Sequence, residues 1–176
     1  MISKNFLNTI YHKIVTWDEL QMMCERWRTE KKTVVFTNGC FDLLHRGHVE
    51  YLARARELGG ALIVGLNSDH SVRRLKGANR PILPQDDRAM ILAALVMVDA
   101  VTIFEQDTPY ELIRQIVPDI LVKGGDYKPE QVVGKDLVER AGGRVEIVPL
   151  VAGKSTSGVI ERIQSKGNLT KEDSTE

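Results

Sequence analysis

Five short apolar runs, each followed by a stretch of helical spacing, constrain this chain more than any other feature. Thr33–Thr37 (TVVFT), Ala61–Leu66 (ALIVGL), Ala100–Phe104 (AVTIF), Ile120–Val122 (ILV) and Arg144–Pro149 (RVEIVP) read as strands. Their apolar character is nearly continuous rather than alternating, which suits a parallel sheet covered on both faces. Helical patterns fall around 47–58, 69–75, 85–97, 109–117 and 131–141, with a last one near 155–164. This alternation predicts an α/β fold: a doubly wound, mainly parallel, five-stranded sheet of Rossmann-like form. Right-handed crossovers then bring the loops after each strand to one carboxyl edge, where ligands bind.

Ahead of the first strand, Thr16-Trp17-Asp18-Glu19 is a capping box. Trp17, Leu20, Cys24 and Trp27 then recur at helical spacing, as expected of a helix laying one stripe on the body. Residues 1–15 have no clean period. The polar run from Ser165 reads as a disordered tail. With no repeat or linker in 176 residues, the expectation is one domain. Its parts are an N-terminal segment and packing helix (1–30), the main body (31–164) and the tail (165–176).

Lys plus Arg equals Asp plus Glu at 24 each, so no net field draws the molecule to nucleic acid. Any anion it binds must be held by a local site. Cys24 and Cys40 form no CxxC and no pair at zinc spacing, which predicts reduced thiols, no protein metal cage and a cytoplasmic location. No apolar run approaches a membrane span or a signal peptide, so no membrane partner is expected.

Four segments fall at the predicted carboxyl edge. The first is Thr37-Asn38-Gly39-Cys40-Phe41-Asp42-Leu43-Leu44-His45-Arg46-Gly47-His48, directly after the first strand. A glycine there lets backbone amides approach an anion. His45 and His48 stand three apart at a helix start, so both imidazoles can face one ligand at the positive helix end. Gly47 between them removes a side chain where a phosphate would sit. The second segment is Asn67-Ser68-Asp69 and the basic stretch through Arg73, Arg74, Lys76 and Arg80. This stretch is either a solvated helix face or a source of cations for a phosphate, with Lys76 and Arg80 favoured. The third, Lys123-Gly124-Gly125-Asp126-Tyr127, is either a turn or a small-molecule site. The fourth is Gly153-Lys154-Ser155-Thr156-Ser157. It imitates a Walker A loop, but the glycine that motif needs five residues before Gly153 is Val148. No GxGxxG follows the first strand, which counts against an NAD-linked enzyme.

The HxGH run resembles the signature of the HxGH nucleotidyltransferase superfamily. FTNGCFDLLHRGHVEYL, together with KGGDY, is most similar to D-glycero-β-D-manno-heptose 1-phosphate adenylyltransferases (ADP-heptose synthases), and the resemblance runs from about Thr16 to Ile163. It implies transfer of AMP from ATP to a sugar 1-phosphate, with ADP-heptose for the lipopolysaccharide inner core as product. His45 and His48 are then the catalytic pair. The nucleotide site comprises Asn38, Gly39, Cys40, Phe41, His45, Gly47, His48, Arg88, Gly124, Lys154, Ser155, Thr156 and Ser157. Arg88 enters because its position is basic in relatives, while a surface pair with Asp86 or Asp87 is the alternative reading. Asp42, Lys76, Arg80, Lys123 and Asp126 would serve the acceptor, although Asp42 has a second reading as a brace for its loop. Mg2+ would arrive with ATP. A homo-oligomer, dimer or larger, is implied, as are a separate kinase and phosphatase in the same pathway. The chain is too short to hold a sugar kinase domain as well, so a stand-alone transferase is the expectation. The competing readings are a cytidylyltransferase acting on glycerol 3-phosphate and a non-catalytic nucleotide-binding regulatory protein.

Overall fold

The computed structural model describes residues 5–125, 128–149, 153 and 156–172. Five strands, β1 (Val34–Gly39), β2 (Ala61–Asn67), β3 (Ala100–Phe104), β4 (Ile120–Gly124) and β5 (Arg144–Val148), form one sheet. Their order is β3-β2-β1-β4-β5, and every pairing is parallel. This is the predicted doubly wound sheet. The chain steps outward from β1 to β3, then returns to lay β4 on the other side of β1. The order therefore reverses between β1 and β4, and that switch point is where such sheets leave a crevice for ligands.

Both faces of the sheet are buried, as the continuous apolar strands require. Val35, Leu62, Val64, Ile120 and Val122 point into one core with Tyr51, Leu52, Leu92 and Ala93. Val34, Phe36, Ile63 and Leu121 point into the other with Leu20, Cys24, Trp27, Leu112 and Ile113. Adjacent strand residues thus serve opposite cores, as the two-residue period of a strand dictates.

The helices follow the expected alternation. They are α2 (Trp17–Thr29), α3 (Arg46–Glu57), α4 (Asp69–Lys76), α5 (Gln85–Ala93), α6 (Tyr110–Ile116), α7 (Lys135–Arg140) and α8 (Thr156–Glu172). The Thr16 capping box is present in both directions, and Leu20, Cys24 and Trp27 are buried. Burial pushes the Cys24 thiol up to about 11, so it packs as a neutral apolar group.

Two segments depart from the sequence reading. Residues 1–15, which carry no period, contain a short helix, α1 (Phe6–Tyr11), and then an arm on the sheet edge. Val15 N–H donates to the Val101 carbonyl at 2.9 Å, and Val101 N–H donates to the Lys13 carbonyl at 2.7 Å. The arm occupies backbone groups that β3 would otherwise leave open, a role set by the edge and not by side-chain pattern. The tail predicted as disordered from Ser165 is instead helical through Glu172, because α8, once nucleated at Thr156, adds residues at little free-energy cost.

Candidate active site

The edge that matters is built by the ends of β1, β2 and β4. Gly39 closes β1, and a Cβ there would meet the Phe41 ring at 3.0 Å. Phe41 itself sits at φ 43°, a left-handed conformation that costs a bulky residue energy and persists only when its surroundings impose it. Burial of the ring and its tilted contact with His48, at 5.2 Å between centroids, hold it there. The sharp turn at Phe41 redirects the chain so that α3 starts directly under the β1 end.

His45 is the N-cap of α3, and Gly47 and His48 lie in its first turn, with Gly47 buried. The two imidazoles stack, 3.9 Å apart and 16° from parallel. His48 Nδ1 is buried and has no hydrogen-bond partner among the described residues. Burial, and then the proximity of His45, lower the His48 pKa to about 4. His48 is therefore neutral near pH 7 and offers an N–H. An anion drawn against it favours the charged form, so its grip tightens as negative charge accumulates.

Beside His48 opens a cleft of about 450 Å3, lined by Asn38, Gly39, Cys40, Phe41, Asn67, Lys76 and Lys123 among others. Lys123 Nζ donates to Asn38 Oδ1 at 3.1 Å, a bond that spans the switch point from β4 to β1. Burial lowers the pKa of this lysine. Burial likewise pushes the Cys40 thiol up, so it is no ready thiolate. Gly124 ends β4, and Gly125 follows at φ 109°, where glycine is favoured.

Two predicted residues, Arg80 and Arg88, sit elsewhere than expected, and a third, Asp42, takes its second reading, as a brace. Asp42 is 1% exposed, and its carboxylate accepts from Arg80 Nε, from Ile82 N–H at 2.6 Å and from Leu83 N–H at 3.1 Å. It braces the α4–α5 loop against the β1 loop, in place of the acceptor contact that the sequence suggested. Arg80 is therefore held as part of that brace, its side chain mostly buried. Arg88 is fully buried, neither a surface pair with Asp86 or Asp87 nor a wall of the cleft. Its guanidinium donates to the carbonyls of Leu83 at 3.0 Å, Cys40 at 2.6 Å and Asn67 at 2.9 Å, and to Asp69 Oδ1 at 2.7 Å. One side chain thus ties the ends of β1 and β2 to the loop before α5.

From the fourth segment, Thr156 starts α8, its Oγ1 3.5 Å from the Leu43 carbonyl, and Ser157 follows on the surface. The start of α8 is in this way brought against the loop that carries His45. Lys154, Ser155 and Asp126 lie outside the described residues. The sequence reading missed the far side of the cleft, formed by Leu75, Thr108, Pro109, Gln131, Val132 and Val133. These residues carry no motif, and only the topology brings them together.

No helix among the described residues is long and apolar enough to cross a membrane. Residues 36–161 match the family model described as Cytidylyltransferase-like. Among curated proteins, the "Bifunctional protein HldE" of Syntrophotalea carbinolica is 61% identical over 151 residues, covering 86% of this chain and 31% of that protein. Its namesake from Magnetococcus marinus is 57% identical over 154 residues, covering 88% of this chain and 32% of that protein. The chain spans about a third of the length of these relatives. A crystal structure of a lipopolysaccharide core biosynthesis protein from Thermoplasma volcanium superposes with a TM-score of 0.56 at 28% identity, over 68% of this chain and 97% of that one. The family match runs from within β1 into α8 and takes in every strand end that shapes the cleft, so the chain belongs to the cytidylyltransferase-like family of nucleotidyltransferases.

Proposed function

We propose that this chain transfers AMP from ATP to D-glycero-β-D-manno-heptose 1-phosphate, releasing pyrophosphate and forming ADP-heptose for the lipopolysaccharide inner core. The observation that carries the reading is the stacked His45–His48 pair at the start of α3, of which His48 lines a cleft that also holds Lys76 and Lys123. Relatives named HldE and a structural neighbour from lipopolysaccharide core biosynthesis support the heptose assignment.

An oxygen of the acceptor phosphate attacks the α-phosphorus, and the bond from that phosphorus to the α–β bridging oxygen breaks. The electron pair leaves with pyrophosphate. The acceptor phosphate is already ionised near neutral pH, so no side chain needs to remove a proton. Catalysis then reduces to alignment and to stabilising charge on the phosphate oxygens. The imidazole N–H groups and the amides at the start of α3 supply that stabilisation, and Lys76 and Lys123 offset repulsion between two anions. Lys154, Ser155, Thr156 and Ser157 form the grip on the triphosphate. Magnesium, which would come bound to the nucleotide, would supply further charge neutralisation without a dedicated carboxylate cage among the described residues. That arrangement fits the donor set here, because Asp42 is already engaged by Arg80 and two amides.

A second reading, cytidylyl transfer to glycerol 3-phosphate, is favoured by the description of the matching family model. Incubation with α- and γ-labelled ATP or CTP, with and without each acceptor, decides between them. The expected result is pyrophosphate and labelled ADP-sugar formed from ATP only when the heptose phosphate is present. Rates tenfold higher with CTP would transfer the assignment to the second reading, and ADP released in place of pyrophosphate would remove both.

A further inference from the structure

Two large apolar side chains at the mouth of the cleft are left in water by the fold. Leu75, at the end of α4, is 47% exposed, and Val133, in the connection between β4 and α7, is 41% exposed. Both line the cleft, and their connections leave from β2 and β4, the strands on either side of β1. Neither is there by looseness of its loop. Val132, the neighbour of Val133, is buried in the sheet core, and Gly134 on the other side packs on Ile113, where a Cβ would come within 2.7 Å. Leu75 is one turn beyond the buried Val72. The same cleft also has polar lining, with Asn38, Asn67, Lys123 and an Asp107 already paired with Arg74.

This division of surface suits a ligand that is polar at one end and on its edge but has an apolar face. A sugar ring fits that description, because its axial C–H bonds present such a face while its hydroxyls radiate around the rim. We infer that Leu75 and Val133 are specificity-determining residues, closing on the ring of a polyhydroxylated cyclic sugar phosphate and rejecting short open-chain phosphates. This rests on the proposed sugar phosphate acceptor. A three-carbon open-chain phosphate can satisfy the lysines and His48 but has no ring face to lay on apolar side chains, so it gains little from their burial. A ring that reaches both removes them from water, and removing methylene-sized groups from such a contact changes discrimination by about tenfold or more.

The test is direct binding, so that it does not depend on which nucleotide is used. Titration calorimetry would measure D-glycero-β-D-manno-heptose 1-phosphate and glycerol 3-phosphate against the full chain and against Leu75→Ala, Val133→Ala and Val133→Ile. The native chain is expected to prefer the ring phosphate by at least tenfold. Each alanine variant should erode that ratio by about tenfold, and Val133→Ile should retain it. Both positions are partly exposed, and circular dichroism confirms that the variants are folded before titration. A native chain that binds neither phosphate or both alike, or alanine variants that keep the native ratio, would overturn the inference. Selectivity for the ring phosphate accompanied by transfer from CTP alone would leave this inference standing while removing adenylyl transfer.

Discussion

Arg88 and His48 stand on neighbouring sides of one loop and have opposite relations to their surroundings. Arg88 directs its guanidinium to three carbonyls and a carboxylate, all within 3.0 Å, and is wholly buried. His48 is partly buried with a ring nitrogen that has no partner among the described residues, and its burial disfavours the charge that a phosphate would favour. The first arrangement gives stability without chemistry. The second withholds stability from the resting protein and makes it available when an anion arrives. Rigidity and reactivity are thus assigned to different residues on different helices, Arg88 on α5 and His48 on α3, so each can be removed separately.

The largest effect should come from the strut. Arg88→Ala leaves Asp69 without its partner and three carbonyls short of a donor, and should cost about 3–5 kcal/mol in urea unfolding. Arg88→Lys should recover little, because an ammonium cannot reach four acceptors from one plane. If Arg88→Ala unfolded like the native chain, the contrast with His48 would collapse. Next in size, His48→Ala should lower kcat by about a hundredfold or more while costing far less stability in urea than Arg88→Ala, limited to the lost ring contact with Phe41. A fall in stability instead of turnover would make the histidine another strut.

Lys123→Ala should raise KM for the sugar phosphate by about tenfold, with less effect on KM for ATP, since it removes a charged donor beside the acceptor cleft. Parallel titrations of the two substrates check this, and a change confined to ATP would move Lys123 to the nucleotide half. The smallest effect is in pH dependence. Because the folded-state pKa of His48 is depressed from 6.5 to about 4, the unfolded chain binds the extra proton between those values. Stability therefore falls as pH drops from about 6.5 to 4, by about 1 kcal/mol after allowance for the ring's partial exposure. His48→Ala should flatten that slope in unfolding curves taken at pH 7 and pH 4.5. An unchanged slope would show that the ring is not held neutral.

The fold was legible because both of its determinants are local. Strand composition and helical spacing give the elements, and the handedness of crossovers orders them. The histidines were legible for a similar reason: the HxGH spacing, a preceding strand and a glycine all lie within one short stretch. Arg88 was not, since its four acceptors come from Leu83, Cys40, Asn67 and Asp69, up to 48 residues away. A charge in QDDRAMIL looks like surface until the partners that bury it are known. Leu75 and Val133 were equally silent, being ordinary apolar residues whose meaning depends on exposure. The arm at Lys13–Val15 had no pattern because its role is carried by backbone atoms.

The seam between β1 and β4 gives the molecule an order of assembly. β1 pairs with β2 through six registered positions after one short crossover, but with β4 through two. The Lys123–Asn38 bond at the end of that seam joins residues 85 apart in the chain. Long loops close late, because their entropy must be lost before any contact offsets it. On these grounds a chain leaving the ribosome is expected to complete the half with the histidines before the half with Lys123 and Val133. Until β4 docks, the histidines have neither Lys123 nor Val133 beside them, and on the proposed function a half-made molecule would have only water to offer an activated nucleotide. Placing the cleft on a joint between segments far apart in the chain makes it a property of the folded molecule and of neither segment alone.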